Sequence, residues 1–377
     1  MTSEDEKTAA PAAARTDTSL VEAAVHLLDR SQLRDSVALA PPVSMRIALI
    51  TGGQASLAVL CAMVLTLLPP WTALVGFSAL GALAALFGRF APLPRRRRIV
   101  AICAGLLALG VFFPSLASLF GAPGWALVLV LALVAGAATV VVSRWNIGIP
   151  GAVIVVFAAG AGLHPVDSWQ TLGARVLATA AGGLMAWLVC LLTDGLRAPV
   201  IRQLELPRTP IPAWSHQWIA AGRITAGAAL AGGIAWAVGW HHPAWAAIGA
   251  TAVMQGSHLH VTMSRALQRM IGTMVGAFIV WLILIQHPPL WGLVLAIVVF
   301  QFLTEVIIGI NYALGQITVT PMALLMTVLA SPAPLLGNMP VERVMETMLG
   351  AAVGIVLALL FSSADDRAYL AALRRRQ

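Results

Sequence analysis

Two carboxylates stand inside long apolar stretches: Glu305 within QFLTEVIIGINY, and Glu346 within RVMETMLGA. A carboxylate held in hydrocarbon costs about 2.5–3.5 kcal/mol even on insertion scales, so each is a candidate for carrying a proton. Glu346 follows Arg343 by three residues and Glu342 by four, so a local ion pair is an equally good reading for it. Four arginines near the ends of apolar stretches, Arg175, Arg223, Arg269 and Arg343, have the chemistry to grip an organic anion by charge-assisted hydrogen bonds. The competing reading is that they reach for lipid headgroups. Thr273, one helical turn beyond Arg269, shares its face. Gln255, Gln301, Asn311 and Gln316 would line a pathway or bond between helices, and Trp245, with Trp236 and Trp281, would stack an aromatic ring or anchor a membrane interface. Histidines gather at turns, in His164-Pro165, His241-His242-Pro243 and His287-Pro288, where imidazoles could sense acidity. His258 and His260 are two metal-type ligands without a third, and Cys61, Cys103 and Cys190 lie apart in apolar runs. No metal, cofactor or catalytic grouping is expected, which sets an enzyme aside.

The elements that must position these groups follow from composition. Of 377 residues 59% are hydrophobic and 10% charged, against about 25% charged in soluble domains. An all-α integral membrane protein is the only class with room for that much apolar chain. The excess of basic residues then calls for something other than nucleic acid. Continuous Ala-, Leu- and Gly-rich runs fall at 46–68, 71–88, 97–113, 124–143, 146–163 and 172–194, and again at 220–240, 243–262, 266–286, 290–310, 312–330 and 341–361. They predict about twelve transmembrane helices in two six-helix repeats, 46–195 and 220–361, joined by a linker at 196–219. A tail at 1–45 has a short amphipathic stretch around Leu20–Arg30 or is a disordered leader, and a basic tail occupies 362–377. The first 45 residues hold no apolar run behind a basic start, so a cytoplasmic amino terminus is expected. On that orientation every Lys and Arg except Arg175 and Arg343 falls on the cytoplasmic side, as short basic loops require, with both termini inside.

A motif R-x3-T-x2-G recurs at Arg175, Thr179 and Gly182, at Arg269, Thr273 and Gly276, and at Arg343, Thr347 and Gly350, with Ile for Thr at Arg98, Ile102 and Gly105. Positions 0, 4 and 7 share one helix face, which places a charge toward the membrane edge and a close-packing point deeper in. The motif falls on the third, sixth, ninth and twelfth runs. This predicts inverted three-helix units within each half, a plan of secondary transporters; tight helix packing is the plainer reading.

The segment from Arg223 to Ala277, with an Arg-led helix, a Pro243-x-Trp245 turn, Gln255-Gly256-Ser257 and then RALQRMIGTMVGA, resembles the fusaric acid resistance and aromatic acid exporter family and, more distantly, the plant aluminium-activated malate transporters. The resemblance implies a bacterial inner-membrane exporter of aromatic or other small organic acids that uses the proton gradient. A passive organic-anion channel is the alternative. It maps the family pattern onto Arg265, Gln268, Arg269, Gly272, Thr273 and Gly276, and the short linker at 196–217 departs from the soluble domain that long members carry there. The partners expected are the organic acid, the lipid bilayer and a second copy in a homodimer.

Overall fold

The computed structural model describes residue 39 and residues 42–204, 211–256, 259–330 and 339–362. The predicted amphipathic tail helix, His258, the basic tail from residue 363 and the middle of the linker lie outside these residues. In chain order the helices of eight or more residues are α1 (Met45–Leu67), α2 (Val75–Ala82), α3 (Leu93–Leu119), α4 (Gly124–Arg144), α5 (Ala152–Ala161) and α6 (Trp169–Thr193). They continue with α7 (Trp214–Ala237), α8 (Pro243–Met254), α9 (Leu259–Leu284), α10 (Leu290–Ile307), α11 (Tyr312–Ala330) and α12 (Met339–Leu360). The described residues contain no strand. Nine of these helices are long and apolar enough to cross a membrane. The protein is a multi-pass α-helical membrane protein.

The other three, α2 with its flanking 3₁₀ turns over Thr72–Leu86, α5 and α8, are shorter than the spans predicted at 71–88, 146–163 and 243–262. At 1.5 Å per residue α5 is about 15 Å long, half a hydrocarbon core. The reason lies in the chain before it. Asn146 to Gly151 turns at Gly148 and Gly151, whose φ of 82° and 72° L side chains rarely adopt. A Cβ on Gly151 would also press on the Gln255 amide. The end of α8 is a Gln255-Gly256 break, where a Cβ on Gly256 would meet Thr262. The longer helices have ordinary starts: Ser44 accepts from the Ile47 N–H at 3.3 Å and Ser168 from the Thr171 N–H at 3.1 Å.

These short helices form the interior. Every residue from Val75 to Phe87 and from Ala244 to Met254 is buried, and α2 packs on α11 while α5 packs on α8. Around them α3 packs on α6 and α9 on α12, α2 on α6 and α8 on α12, and α3 on α5 and α9 on α11. The halves meet through α4 against α7 and α10 against α1.

The motif glycines make this packing close. A Cβ on Gly182 would run into the Ser78 carbonyl of α2, one on Gly350 into the Ala246 carbonyl of α8, and one on Gly276 into Thr320 and the Ile317 carbonyl of α11. Three of the four motif copies therefore seat a long helix on the backbone of a short or Pro-interrupted one, Pro321 lying inside α11. Gly105, in the copy lacking Thr, meets nothing within 4 Å; α3 uses Gly110 instead, against the Val155 carbonyl of α5.

Candidate functional site

Alternate helix ends collect at two faces. One holds the start of α1, the α2–α3 turn, the α4–α5 connection and the starts of α9 and α11, and with them Arg89, Arg95 and Arg265. A cavity of about 1360 Å³ opens between these elements and reaches Ile248, Met322 and Arg343, larger than the roughly 300–1,000 Å³ usual for a small-molecule pocket. A second cavity of about 270 Å³ lies toward the opposite face, among the α5–α6 and α7–α8 turns, and its lining includes His164, Trp236, Trp240 and Trp245. Phe157 of α5 and Ile248 of α8 line both cavities. They are the septum between them.

The large cavity is electropositive. Among its described lining residues five are arginines, Arg89, Arg95, Arg265, Arg269 and Arg343, against one carboxylate, Glu305. Arg89 is committed: its guanidinium donates to the Glu305 carboxylate at 2.9 Å, to the Glu305 carbonyl and to Thr51 Oγ1 at 3.2 Å. Arg89 is itself held from behind. Asp194, wholly buried, receives Arg96 Nη1 at 2.5 Å and Arg197 Nε at 3.3 Å. Arg197 then donates to the Arg89 carbonyl and to the Ala91 carbonyl at 2.9 Å. Gln54 joins the network by accepting from Arg96 at 2.6 Å.

Arg269 and Arg343 are different. Both are 2% exposed, and both retain donors without a partner among the described residues, Arg269 at Nε and Arg343 at Nε and Nη1. Arg269 Nη1 makes only long contacts, 3.4 Å to Gln316 Oε1 and 3.5 Å to the Tyr312 hydroxyl. Arg343 lies over the Trp245 ring at 5.2 Å. Gln301, also lining the cavity, has neither amide atom partnered among the described residues. An unmet buried polar group costs about 1–3 kcal/mol, and a carboxylate bound between the guanidiniums would meet several at once. That is the chemistry of an organic-anion site.

The predicted residues thus separate. Arg269, Arg343, Glu305, Gln255, Gln301 and Gln316 line the cavity. Trp245 backs Arg343 from the far side, and Glu346 lies beside Arg343 on α12 with one oxygen unpartnered. Thr273 is fully buried and lines neither cavity, and Asn311 caps α11 by accepting from the Ala313 and Leu314 N–H groups at 2.7 and 3.3 Å. Gln255, in the amide orientation that suits both neighbours, donates to the Pro150 carbonyl and accepts from the Ala152 N–H, so it caps α5. Arg175 donates to the His164 and Pro165 carbonyls at 2.9 Å and lies over Phe77, which fixes the α5–α6 turn. Arg223 is half-buried on α7 and lines neither cavity. Burial, with Arg175 and His242 nearby, pushes the His164 imidazole down to about 4, so it is neutral in that turn.

The bundle is that of a multi-pass membrane protein with an arginine-lined cavity among broken helices. Residues 230–357 match the family described as fusaric acid resistance protein-like, which covers most of the segment whose residues resemble that family. The chain is also 30% identical over 124 residues to the uncharacterized membrane protein YvaC of Bacillus subtilis (strain 168), a match covering 33% of this chain and 20% of that relative. The aligned part thus spans about a fifth of the relative's length. No solved structure matches the chain.

Proposed function

We propose that this protein is a secondary transporter that exports small organic acids, aromatic carboxylates above all, across the bacterial inner membrane, and that it belongs to no enzyme class. The single observation that carries the reading is the pair of buried, under-bonded guanidiniums, Arg269 and Arg343, at the deep end of an arginine-lined cavity. By the positive-inside tendency of short basic loops, the arginine-rich face is cytoplasmic, with both termini there. Cargo then enters from the cytoplasm, and the Phe157–Ile248 septum bars its way outward. A large cavity on one side and a small one on the other favour a carrier that alternates over an open pore. Energy comes from the proton gradient through Glu305 or Glu346.

The same reading includes twelve crossings in two six-helix repeats of inverted three-helix units. The pairing supports it: α3–α6 parallels α9–α12, α2–α6 parallels α8–α12, and α2–α11 parallels α5–α8. In each unit the middle helix is the short or Pro-interrupted one. The boundaries are 46–195 and 220–361 with tails and a linker outside them, and the working form is a homodimer, which light scattering in detergent would size.

Proteoliposomes loaded with labelled benzoate test the transport reading. Saturable efflux that falls at least tenfold in Arg343→Gln and Arg269→Gln is expected, with Glu305→Gln losing the response to an imposed pH gradient. The channel reading rests on the excess of arginine over carboxylate in the cavity. It predicts flux that follows the electrochemical gradient of benzoate alone and ignores Glu305→Gln.

A further inference from the structure

The α7–α8 turn is tied to the start of α12 by a cluster that the anion site does not use. Glu342 bridges two imidazoles, His241 Nδ1 at 2.7 Å and His242 Nδ1 at 3.1 Å. His241 is the water-facing end of the cluster, its side chain 62% exposed, whereas that of His242 is 15% exposed. Burial lowers His242, and its contact with Glu342 works the other way. The backbone N–H of His242 donates to Glu346 Oε1 at 3.3 Å, and the His242 ring stacks on Trp245 at 4.2 Å and 7°. Trp245 in turn carries Arg343 on its ring, and Glu346, wholly buried, keeps Oε2 without a partner among the described residues. The cluster therefore runs from solvent at one face to the guanidinium that lines the large cavity open to the other.

We infer that His241, His242, Glu342 and Glu346 form a proton-acceptance site reached from the outer face, and that Glu346 takes up a proton as an anion arriving from the cytoplasmic cavity binds Arg343. The inference rests on the anion-carrier reading and gives it a coupling chemistry. With no anion, the Glu346 carboxylate is the negative neighbour of Arg343. An incoming carboxylate places a second negative charge beside it in a buried setting, and adding H⁺ to the unpartnered Oε2 relieves the repulsion, forming one O–H bond and no other change in covalent structure. The charged and titratable groups facing Glu346 agree with this. On α12 they are Glu342 and Arg343, and from the α7–α8 turn, His242; His241 reaches Glu346 only through Glu342 and His242, Arg269 of α9 faces Arg343, and α8 contributes none. Tyr312 of α11 faces Arg343, and His164 faces His242. Proton and anion thus help each other bind while approaching from opposite sides.

Equilibrium binding of benzoate to the full chain in detergent reads this directly. Linkage predicts that affinity tightens by up to about tenfold per pH unit on going from about pH 9.5 to about pH 7.5, and that benzoate binding in weakly buffered solution at the alkaline end removes up to about one proton per anion from the medium. Glu346→Gln should bind benzoate at least as tightly as wild type at low pH and lose both the pH slope and the proton uptake, while Glu342→Gln, at the exposed end, should keep the slope at equilibrium and slow pH-driven efflux in proteoliposomes. An unchanged wild-type affinity across that range, proton release on binding, or a full slope in a folded Glu346→Gln would overturn the inference while leaving the carrier intact. Absence of saturable benzoate binding in wild type would instead remove the carrier reading and this inference with it.

Discussion

Asp194→Asn tests whether the cavity rim is held by buried charge. Asp194, Arg96 and Arg197 are all fully buried, and one carboxylate oxygen serves both guanidiniums, at 2.5 and 3.3 Å. Removing one partner of a buried ion pair typically costs about 3–5 kcal/mol, because a charge is left behind without compensation. Here two guanidiniums are left. Two features moderate the loss: Gln54 Oε1 still accepts from Arg96 at 2.6 Å, and Arg197 keeps its two backbone acceptors. The expected destabilisation is therefore about 3–4 kcal/mol, or two to three powers of ten in the unfolding equilibrium. Reversible unfolding in a mixed-micelle titration measures it, and a cycle with Arg96→Gln should return a coupling of at least about 1.5 kcal/mol. Function should follow, because Arg197 carries the Arg89 carbonyl and Arg89 carries Glu305. A loss below about 1 kcal/mol, or additive single variants, would refute the view that this network holds the rim.

Arg343→Lys should fail to restore benzoate binding while folding normally, since an ammonium cannot cover the Trp245 face and offer a fork to a carboxylate; restoration in a binding titration would argue for a simple charge effect. Gly81→Ala and Gly182→Ala, whose Cβ atoms would collide with the Thr179 and Ser78 carbonyls, should each cost about 1–3 kcal/mol in thermal unfolding, while Gly53→Ala, which meets nothing, should be neutral or slightly stabilising. His164 gives an acid limit. Its folded form resists protonation down to about 4 while the unfolded chain takes a proton near the ordinary 6.5, so stability is full above that value and falls as pH drops between the two. A loss of about 3 kcal/mol by pH 4 that His164→Gln removes is expected; a pH profile unchanged by that substitution would show that the turn is not its source.

Apolar runs were a sound guide to where helices lie, because continuous hydrophobicity is a local property of the chain. They were a poor guide to length at α2, α5 and α8; at α5 the chain turns at positive φ at Gly148 and Gly151, and Gly151 and Gly256 sit against the Gln255 and Thr262 side chains, features that hydropathy averages away. Arg269, Arg343 and Glu305 stood out because charge inside an apolar stretch is rare, and the structure brings them to one cavity. Arg89 and Tyr312 did not. Arg89 lies in a basic loop and read as a topology signal, and its partner Glu305 is 216 residues away. The Arg96–Asp194 pair, 98 residues apart, was hidden for the same reason. Arg175 and Arg343 share a motif position yet differ among the described residues, one donating to the His164 and Pro165 carbonyls and the other lying over Trp245 at the cavity.

The thinness of the Phe157–Ile248 septum has an electrical consequence. Water admitted to the large cavity would carry the potential of one side to the foot of that barrier. The membrane voltage would then fall across a few side chains instead of the whole hydrocarbon layer. An anion passing these two residues would feel most of the roughly 2.3 kcal/mol per 100 mV available to a unit charge within a few ångströms of travel. The cytoplasm is the negative side, so that field pushes an anion outward, and the two septum residues set the distance over which it acts.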